Sequence, residues 1–265
     1  MLTDKHGTIA IIQGRMSSSR LPGKILMDIG GEPMLIRVVS RVRRSHYINQ
    51  VVVATTNDPS DDPVETLCNS RGIPVYRGSL FDVLDRFYQA ALLFNAATVI
   101  RVTADCPLID PDEIDHVVHQ FNEHKVDFAT NRLPPPWKRT YPIGLDTEVC
   151  KFEVLERTWR EAKDPHQREH VMPYIYEENG RFKVLVIDHP VDYGAMRWTV
   201  DTPQDLEVIR LIYEHFSNQD YFSWLEVLDL YERQPELTRM NDNVNHNPFY
   251  AVDDRMKEKG QWHRS

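Results

Sequence analysis

The stretch IAIIQGRMSSSRLPGK, Ile9 to Lys24, constrains this chain more than any other: a short apolar run breaks at once into a slim, hydroxyl-rich and basic turn. Ile9 to Ile12, uncharged and mostly β-branched, read as a strand buried on both faces. Such a strand belongs inside a sheet flanked by helices, so the turn after it must emerge at one sheet edge. There Gly14, Ser17, Ser18, Ser19 and Gly23 keep the loop slim enough for its backbone amides to approach an anion, while Arg15, Arg20 and Lys24 supply positive charge. The expectation is a cradle for a polyphosphate. It is not the P-loop, because Ile25 stands where G-x-x-x-x-G-K-[ST] requires a hydroxyl.

The remainder of the first half repeats strand and helix in turn. A helix from about Met34 to Arg44 follows the turn Gly30-Gly31-Glu32-Pro33; a strand Val51–Ala54 and a helix closing at Gly72 come next. A strand Ile73–Tyr76, a helix Phe81–Phe94, a strand Val99–Val102 and a helix opening at Pro111 complete a βαβαβα order, which favours a mainly parallel sheet with helices on both faces. The second half is less regular. A Pro- and Trp-bearing loop from Leu133 to Trp137 leads to a strand around Leu145–Val149, helices Phe152–Ala162 and His166–Glu178, strands Phe182–Ile187 and Met196–Val200, and a helix opening at Pro203. Trp159, Phe182 and Trp198 read as core. At 265 residues the chain can form one large α/β domain over 1–240, with a nucleotide-binding part at about 8–110, an acceptor-binding part at about 126–200 and a polar tail at 241–265.

Charge narrows the partners. A formal net charge of −9 argues against nucleic acid and anionic membranes, so the basic loop is a local site for a small anion. No apolar h-region follows Thr3-Asp4-Lys5-His6 and no stretch is long enough to span a bilayer. Cys68, Cys106 and Cys150 are odd in number and widely spaced, which suggests neither a disulfide framework nor a zinc knuckle. The expectation is a soluble cytoplasmic protein with reduced thiols.

Two carboxylates gain meaning from position. Strand Val99–Val102 runs into Thr103-Ala104-Asp105 and strand Met196–Val200 into Asp201, placing one carboxylate at each strand end, the edge where open α/β sheets bind ligands. Facing the basic loop, they would form a pair of hard oxygen ligands suited to Mg²⁺. Asp201 ahead of Thr202-Pro203 is equally placed to cap a helix. His166 and His170 stand four apart, without the glutamate placement of H-E-x-x-H that a zinc site would need.

The segments GRMSSSRLPGK, RGSLFDVLDRF, RVTADCPLIDP, YPIGLDTEV, REHVMPYIY and RWTVDTPQDLEVIR occur in this order between about residues 8 and 215. In them the chain resembles the cytidylyltransferases of the spore-coat-polysaccharide type, which are similar to the CMP-sugar synthetases that activate 3-deoxy-ulosonic acids. Gly14 and Ser17 stand where members often carry alanine and glycine, both small changes. The resemblance implies a glycosyltransferase-A-like, Rossmann-type three-layer sandwich that binds CTP over the first sheet edge. It implies that Arg15, Arg20 and Lys24 hold the triphosphate together with Gly14 and Ser17, that Asp105 and Asp201 hold the metal, and that Ser79 and Asp82 lie near the nucleoside. Gly78-Ser79 also reads as a plain turn into a helix capped by Ser79.

Tyr141, Asp146, Arg168, Glu169 and His170, in motifs shared with the family, would receive an acidic or phosphorylated sugar-type acceptor, Arg168 by pairing its anion. An arginine and glutamate in such a charged run also suit a solvated helix face. The implied reaction is Mg²⁺-dependent transfer of CMP from CTP with release of pyrophosphate, for surface polysaccharide or glycoconjugate synthesis. Arg15, Lys24, Asp105 and Asp201 would carry it, with no side-chain nucleophile. A homodimer is compatible with this reading. The alternatives are a glycosyltransferase using a nucleotide-sugar donor, which usually shows a D-x-D motif where Asp105 is followed by Cys106-Pro107, and a non-catalytic nucleotide-binding protein.

Overall fold

A computed structural model describes residues 7–134 and 137–244. Thr3 to His6, Pro135, Pro136 and the expected tail beyond 244 lie outside the described residues. The elements run β1 (Thr8–Gln13), a two-residue hairpin of β2 (Asp28–Ile29) and β3 (Glu32–Pro33), α1 (Met34–Val42), β4 (Gln50–Thr56), α2 (Asp62–Ser70), β5 (Val75–Gly78), α3 (Val83–Leu93), β6 (Thr98–Thr103) and α4 (Pro111–His124). Then come β7 (Phe128–Thr130), β8 (Glu148–Lys151), α5 (Phe152–Glu161), α6 (Pro165–His170), α7 (Pro173–Tyr176), β9 (Val184–Val186), α8 (Pro203–His215), α9 (Trp224–Arg233) and α10 (Glu236–Arg239).

The main sheet has seven strands in the order β5-β4-β1-β6-β8-β7-β9. The pairings β5-β4, β4-β1, β1-β6 and β7-β9 are parallel, and β8 runs antiparallel to both β6 and β7. The expected α/β class, with a mostly parallel sheet, is the observed one. β1 alternates as a doubly covered strand must: Ala10 and Ile12 pack toward α1, α2 and α4, Ile9 and Ile11 toward α3 and α5. A third apolar cluster lies away from the sheet, where α8 and α9 close over Ile29, Met34 and the fully buried Trp198.

This order fixes where a ligand can sit. From β1 the chain steps outward to β4 and β5, then crosses back to β6 on the other flank of β1, so the connections diverge between β1 and β6. Such a switch point opens a crevice at the C-terminal ends of the two strands. Gln13 and Thr103 are register partners there, so the basic loop and the Asp105 loop leave the sheet side by side.

Three sequence expectations change. The segment Met196–Val200 is not a strand of the sheet; among the described residues its β pairing is one isolated bridge, Ile143 to Arg197. Its backbone is tied elsewhere: Trp198 N–H donates to Ile143 O at 2.7 Å and Val200 N–H to Asp105 O at 2.8 Å. Burying the Trp198 ring under α8 and α9 holds this segment above the sheet. The expected helix His166–Glu178 is two short helices, broken at Val171 with φ +73° and restarted by Pro173, which offers no N–H to a continuing ladder. Trp159 and Phe182, read as core, are only half-buried, and the Trp159 ring N–H donates to Asp85 at 2.9 Å.

Candidate active site

The loop after β1 is knotted on one residue. Met16 O accepts from Ser18 N at 2.9 Å and from Gly23 N at 2.8 Å, while Met16 N donates to the buried carboxylate of Asp61 at 2.7 Å. Asp61 also accepts from the backbone N–H and the hydroxyl of Thr56, so the end of β4 pins the loop of β1. Gly23 then turns through φ +74°, a left-handed conformation suited to glycine, and delivers Lys24 at the start of a single 3₁₀ turn. The expectation that the loop's amides face an anion is corrected at five positions. The N–H groups of Gly14, Met16, Ser18, Gly23 and Lys24 are spent on internal acceptors, so side chains must supply the donors there.

Lys24 is the centre of the site. Its ammonium is buried and donates to Asp105 Oδ2 at 2.6 Å, Val200 O at 2.7 Å and Asp201 Oδ1 at 2.9 Å. Burial alone would lower its pKa, but the two carboxylates win and raise it. Asp201 further meets Arg20 at 2.8 Å and Arg197 at 2.7 Å. Burial would push its carboxyl up; Lys24, Arg20 and Arg197 instead pull it down to about 2. The helix-cap reading of Asp201 fails, because Thr202 caps α8 in a capping box with Asp205. Asp201 reaches the site from the suspended Trp198 segment, not from a strand end.

These groups line a cleft of about 200 Å³ at the switch point, together with Gly14, Arg15, Ser18 and Arg86. Four cations, Arg15, Arg20, Lys24 and Arg86, face two carboxylates, which leaves the cleft electropositive in an acidic protein. Ser17 belongs to the loop but is not among the lining residues, and neither are Ser79 and Asp82. Asp82 caps α3 by accepting from Asp85 N, and Ser79 accepts from Asp82 N, so the cap falls on Asp82.

The residues expected around an acceptor are distributed over two layers. Arg168 is paired with Asp82, Nε to Oδ1 at 3.0 Å, and donates to Trp159 O at 2.7 Å. Glu169 and His170 follow it on α6, half-buried, while His166 pairs with Glu177 at 2.7 Å. Tyr141 is buried against Trp224 in the third cluster, and Asp146 is held by Arg132 at 2.8 Å. Three residues escaped sequence reasoning: Asp61, Arg86 and Arg197. Arg86 and Arg197 stood inside quoted motifs, and Asp61 lies in the Asp-Pro-Ser-Asp-Asp turn after β4, where nothing local distinguishes one acid from another.

Comparison with known proteins shows the family. A family model described as Cytidylyltransferase matches residues 9–246. The spore coat polysaccharide biosynthesis protein SpsF of Bacillus subtilis is 31% identical over 233 residues, 85% of this chain and 94% of that protein. A solved cytidylyltransferase from Leptospira borgpetersenii superposes with a TM-score of 0.83 at 32% identity, covering 91% of this chain and all (100%) of that one. A solved CMP:2-keto-3-deoxy-manno-octonic acid synthetase, in complex with CTP, superposes at TM-score 0.61 and 20% identity over 79% of this chain and 99% of its own, a likeness of fold. Cys68, Cys106 and Cys150 are free and buried, and among the described residues no helix is long and apolar enough to cross a membrane. On these matches the chain therefore belongs to the cytidylyltransferase family and is a nucleotidyltransferase.

Proposed function

We propose that the cleft binds CTP by its triphosphate and transfers CMP to an acidic or phosphorylated sugar-type acceptor, releasing pyrophosphate. The observation that carries this reading is Lys24, buried and set between Asp105 and Asp201 at 2.6 and 2.9 Å, at the crevice where the sheet order diverges. The relative named for spore-coat polysaccharide synthesis supports a product destined for a surface polysaccharide or glycoconjugate. The nucleotide-binding part would be the first half of a single domain and the acceptor part the second. A cytoplasmic location, where CTP is made, follows from the substrate.

Asp105 and Asp201 fit a divalent cation by their chemistry. Both are hard oxygen donors that converge on the Lys24 ammonium, whose place a metal would take, and among the described residues no group of three or more His, Cys, Asp or Glu side chains could hold a metal. Two carboxylates with substrate phosphates and water completing the shell is the pattern Mg²⁺ prefers. Mg²⁺ bound there would neutralise charge on the phosphates and favour ionisation of the acceptor hydroxyl.

The chain's own residues do the rest. Arg15 and Arg20 offer charged donors to the departing pyrophosphate, whose negative charge grows as the α-phosphorus is displaced in line, and Lys24, with its three donors on Asp105, Asp201 and Val200 O, adds its positive charge beside them. The knot at Met16 fixes beforehand the backbone of the loop that carries Arg15, Arg20 and Lys24. Arg168, Glu169, His170, Tyr141 and Asp146 would orient the acceptor. No covalent nucleotidyl-enzyme is needed. The test is a screen of the four NTPs against candidate sugar acids and phosphorylated polyols for pyrophosphate release. The expected result is CTP-dependent release only with acceptor present; exchange of labelled pyrophosphate into CTP without acceptor would overturn direct displacement.

A further inference from the structure

Arg86 lies in α3 and reaches the cleft over Gly78, the last residue of β5. A Cβ on Gly78 would sit 3.1 and 3.2 Å from the Arg86 stem and 2.8 Å from the Tyr76 ring, so glycine is what lets the arginine pass. Arg86 is 1% exposed, yet its Nε and Nη1 find no hydrogen-bond partner. The other fully buried arginine, Arg41, is treated quite differently: its guanidinium donates to the carbonyls of Ile109, Asp220 and Phe222. Asp61 and Asp82 are close enough for Arg86 to feel their charge, but Asp61 is spent on Met16 and Thr56 and Asp82 on Arg168. Burial and the like charge of Arg15 push the Arg86 pKa down to about 10, which still leaves it protonated at neutral pH.

A buried charge without a partner is costly, and a second cation beside it adds to the cost; an anion entering the cleft would relieve both. Nε and Nη1 point to different sides of the planar guanidinium, so each is a charged donor for a separate phosphate oxygen. We propose that Arg86 is the buried anchor of the anion site in this cleft and takes phosphate oxygens of the nucleotide. The proposal rests on the triphosphate reading above and adds a ligand-binding residue from α3 to the cleft that the carboxylate pair also lines. It also explains why the ligand-free protein tolerates the arrangement: affinity for the anion is gained at the expense of stability in its absence.

The test is Arg86→Met, of similar length and uncharged, studied as the full chain by thermal unfolding at low salt and by calorimetry with inorganic pyrophosphate and with CTP. The expected result is a variant that melts a few degrees higher than wild type without ligand, as relief of a buried unpaired charge implies. It loses at least about tenfold in pyrophosphate and CTP affinity, and added pyrophosphate no longer raises its melting temperature. Arg86→Lys, which keeps the charge but not the fork, falls between. A variant that melts lower and binds pyrophosphate as wild type does would overturn the proposal and make Arg86 structural, as would a wild type that pyrophosphate does not stabilise. A rise in acceptor KM with nucleotide affinity intact overturns it in favour of an acceptor anion. Should pyrophosphate bind through Arg86 while no acceptor consumes CTP, the anchor stands and the reaction reading falls.

Discussion

At the switch-point cleft, Lys24 spans two carboxylates and Arg86 keeps donors unmet; in the ion pairs of the second half, two of which reach back to the first, Arg168 is clasped to Asp82, Arg132 to Asp146 and Arg101 to Glu148. The two regions are similar in charge content and opposite in how the charge is used. In the first, cations outnumber carboxylates and surround open space, so an anion completes the arrangement. In the second, the charges named here are already matched inward, and an acceptor that engages Arg168 must compete with Asp82. On the function proposed above, the cleft is built in advance of its anion, while an acceptor at Arg168 would have to be won against existing ion pairs.

The largest effect should come from breaking the carboxylate pair. Asp105→Asn and Asp201→Asn should each lower turnover by at least about 10²-fold, the scale of losing a group that stabilises transition-state charge. Secondary structure by circular dichroism should be unchanged, since the Thr202–Asp205 capping box that starts α8 does not use the Asp201 side chain for the cap. Activity retained in Asp201→Asn, with a fall in melting temperature alone, would reduce Asp201 to a partner for Lys24, Arg20 and Arg197. Asp201 also predicts an acid limit. Its folded pKa of about 2 lies below the ordinary 3.8, so its stabilisation is fully present above about pH 4 and is lost as pH falls toward 2. Asp201→Asn should flatten the acid-unfolding curve in that window.

A smaller effect sharpens the contrast between the halves. Lys24→Met should weaken CTP binding in calorimetry by at least about tenfold with acceptor affinity little changed. Arg168→Ala should do the reverse, raising acceptor KM while CTP binding stays within about twofold. Because Arg168 is clasped to Asp82, a double-mutant cycle with Asp82→Asn should also show a coupling of about 1 kcal/mol or more in stability. Equal damage to CTP binding from Lys24→Met and Arg168→Ala would remove the division of labour.

How much of this could be read in the sequence follows the same divide. The basic loop and Asp105 were legible because each sits a residue or two past the end of a strand, and hydrophobic runs reveal strand ends. Asp201 was found at the right place for a wrong reason: Met196–Val200 has strand-like residues, but the Trp198 ring is buried under α8 and α9 and holds the segment off the sheet. What no local pattern encodes is pairing across layers. The clasp of Arg168 on Asp82 joins residues 86 apart, and the hold of Asp61 on Met16 joins residues 45 apart. Arg86 was hidden differently, since in sequence it reads as one more charge in Asp85-Arg86, and only its burial shows that it lacks a partner.

The smallest effect asks whether charge packed against the second half is settled at any cost. Glu113 is buried in the first turn of α4, with Asn131 Nδ2 at 3.5 Å and Tyr141 also bonded to its carboxyl. Burial pushes its pKa up to about 7, against the pull of those two donors. An acid raised in this way binds its proton more tightly folded than unfolded. Its carboxyl therefore costs nothing below about pH 4.5, and stability declines as pH rises from there to about 7, then levels off. Over that window the loss is up to about 3 kcal/mol, from 1.36 kcal/mol per pKa unit. Glu113→Gln keeps an acceptor for Tyr141 and has no proton to lose. Its melting temperature relative to wild type should rise by several degrees between pH 4.5 and 7.5 and stay constant above that. A difference that does not change with pH would mean that Glu113 ionises freely in the folded chain. The α4 face packed against the second half would then bear an unmatched charge, and the contrast with the cleft would rest on Arg168, Arg132 and Arg101 alone.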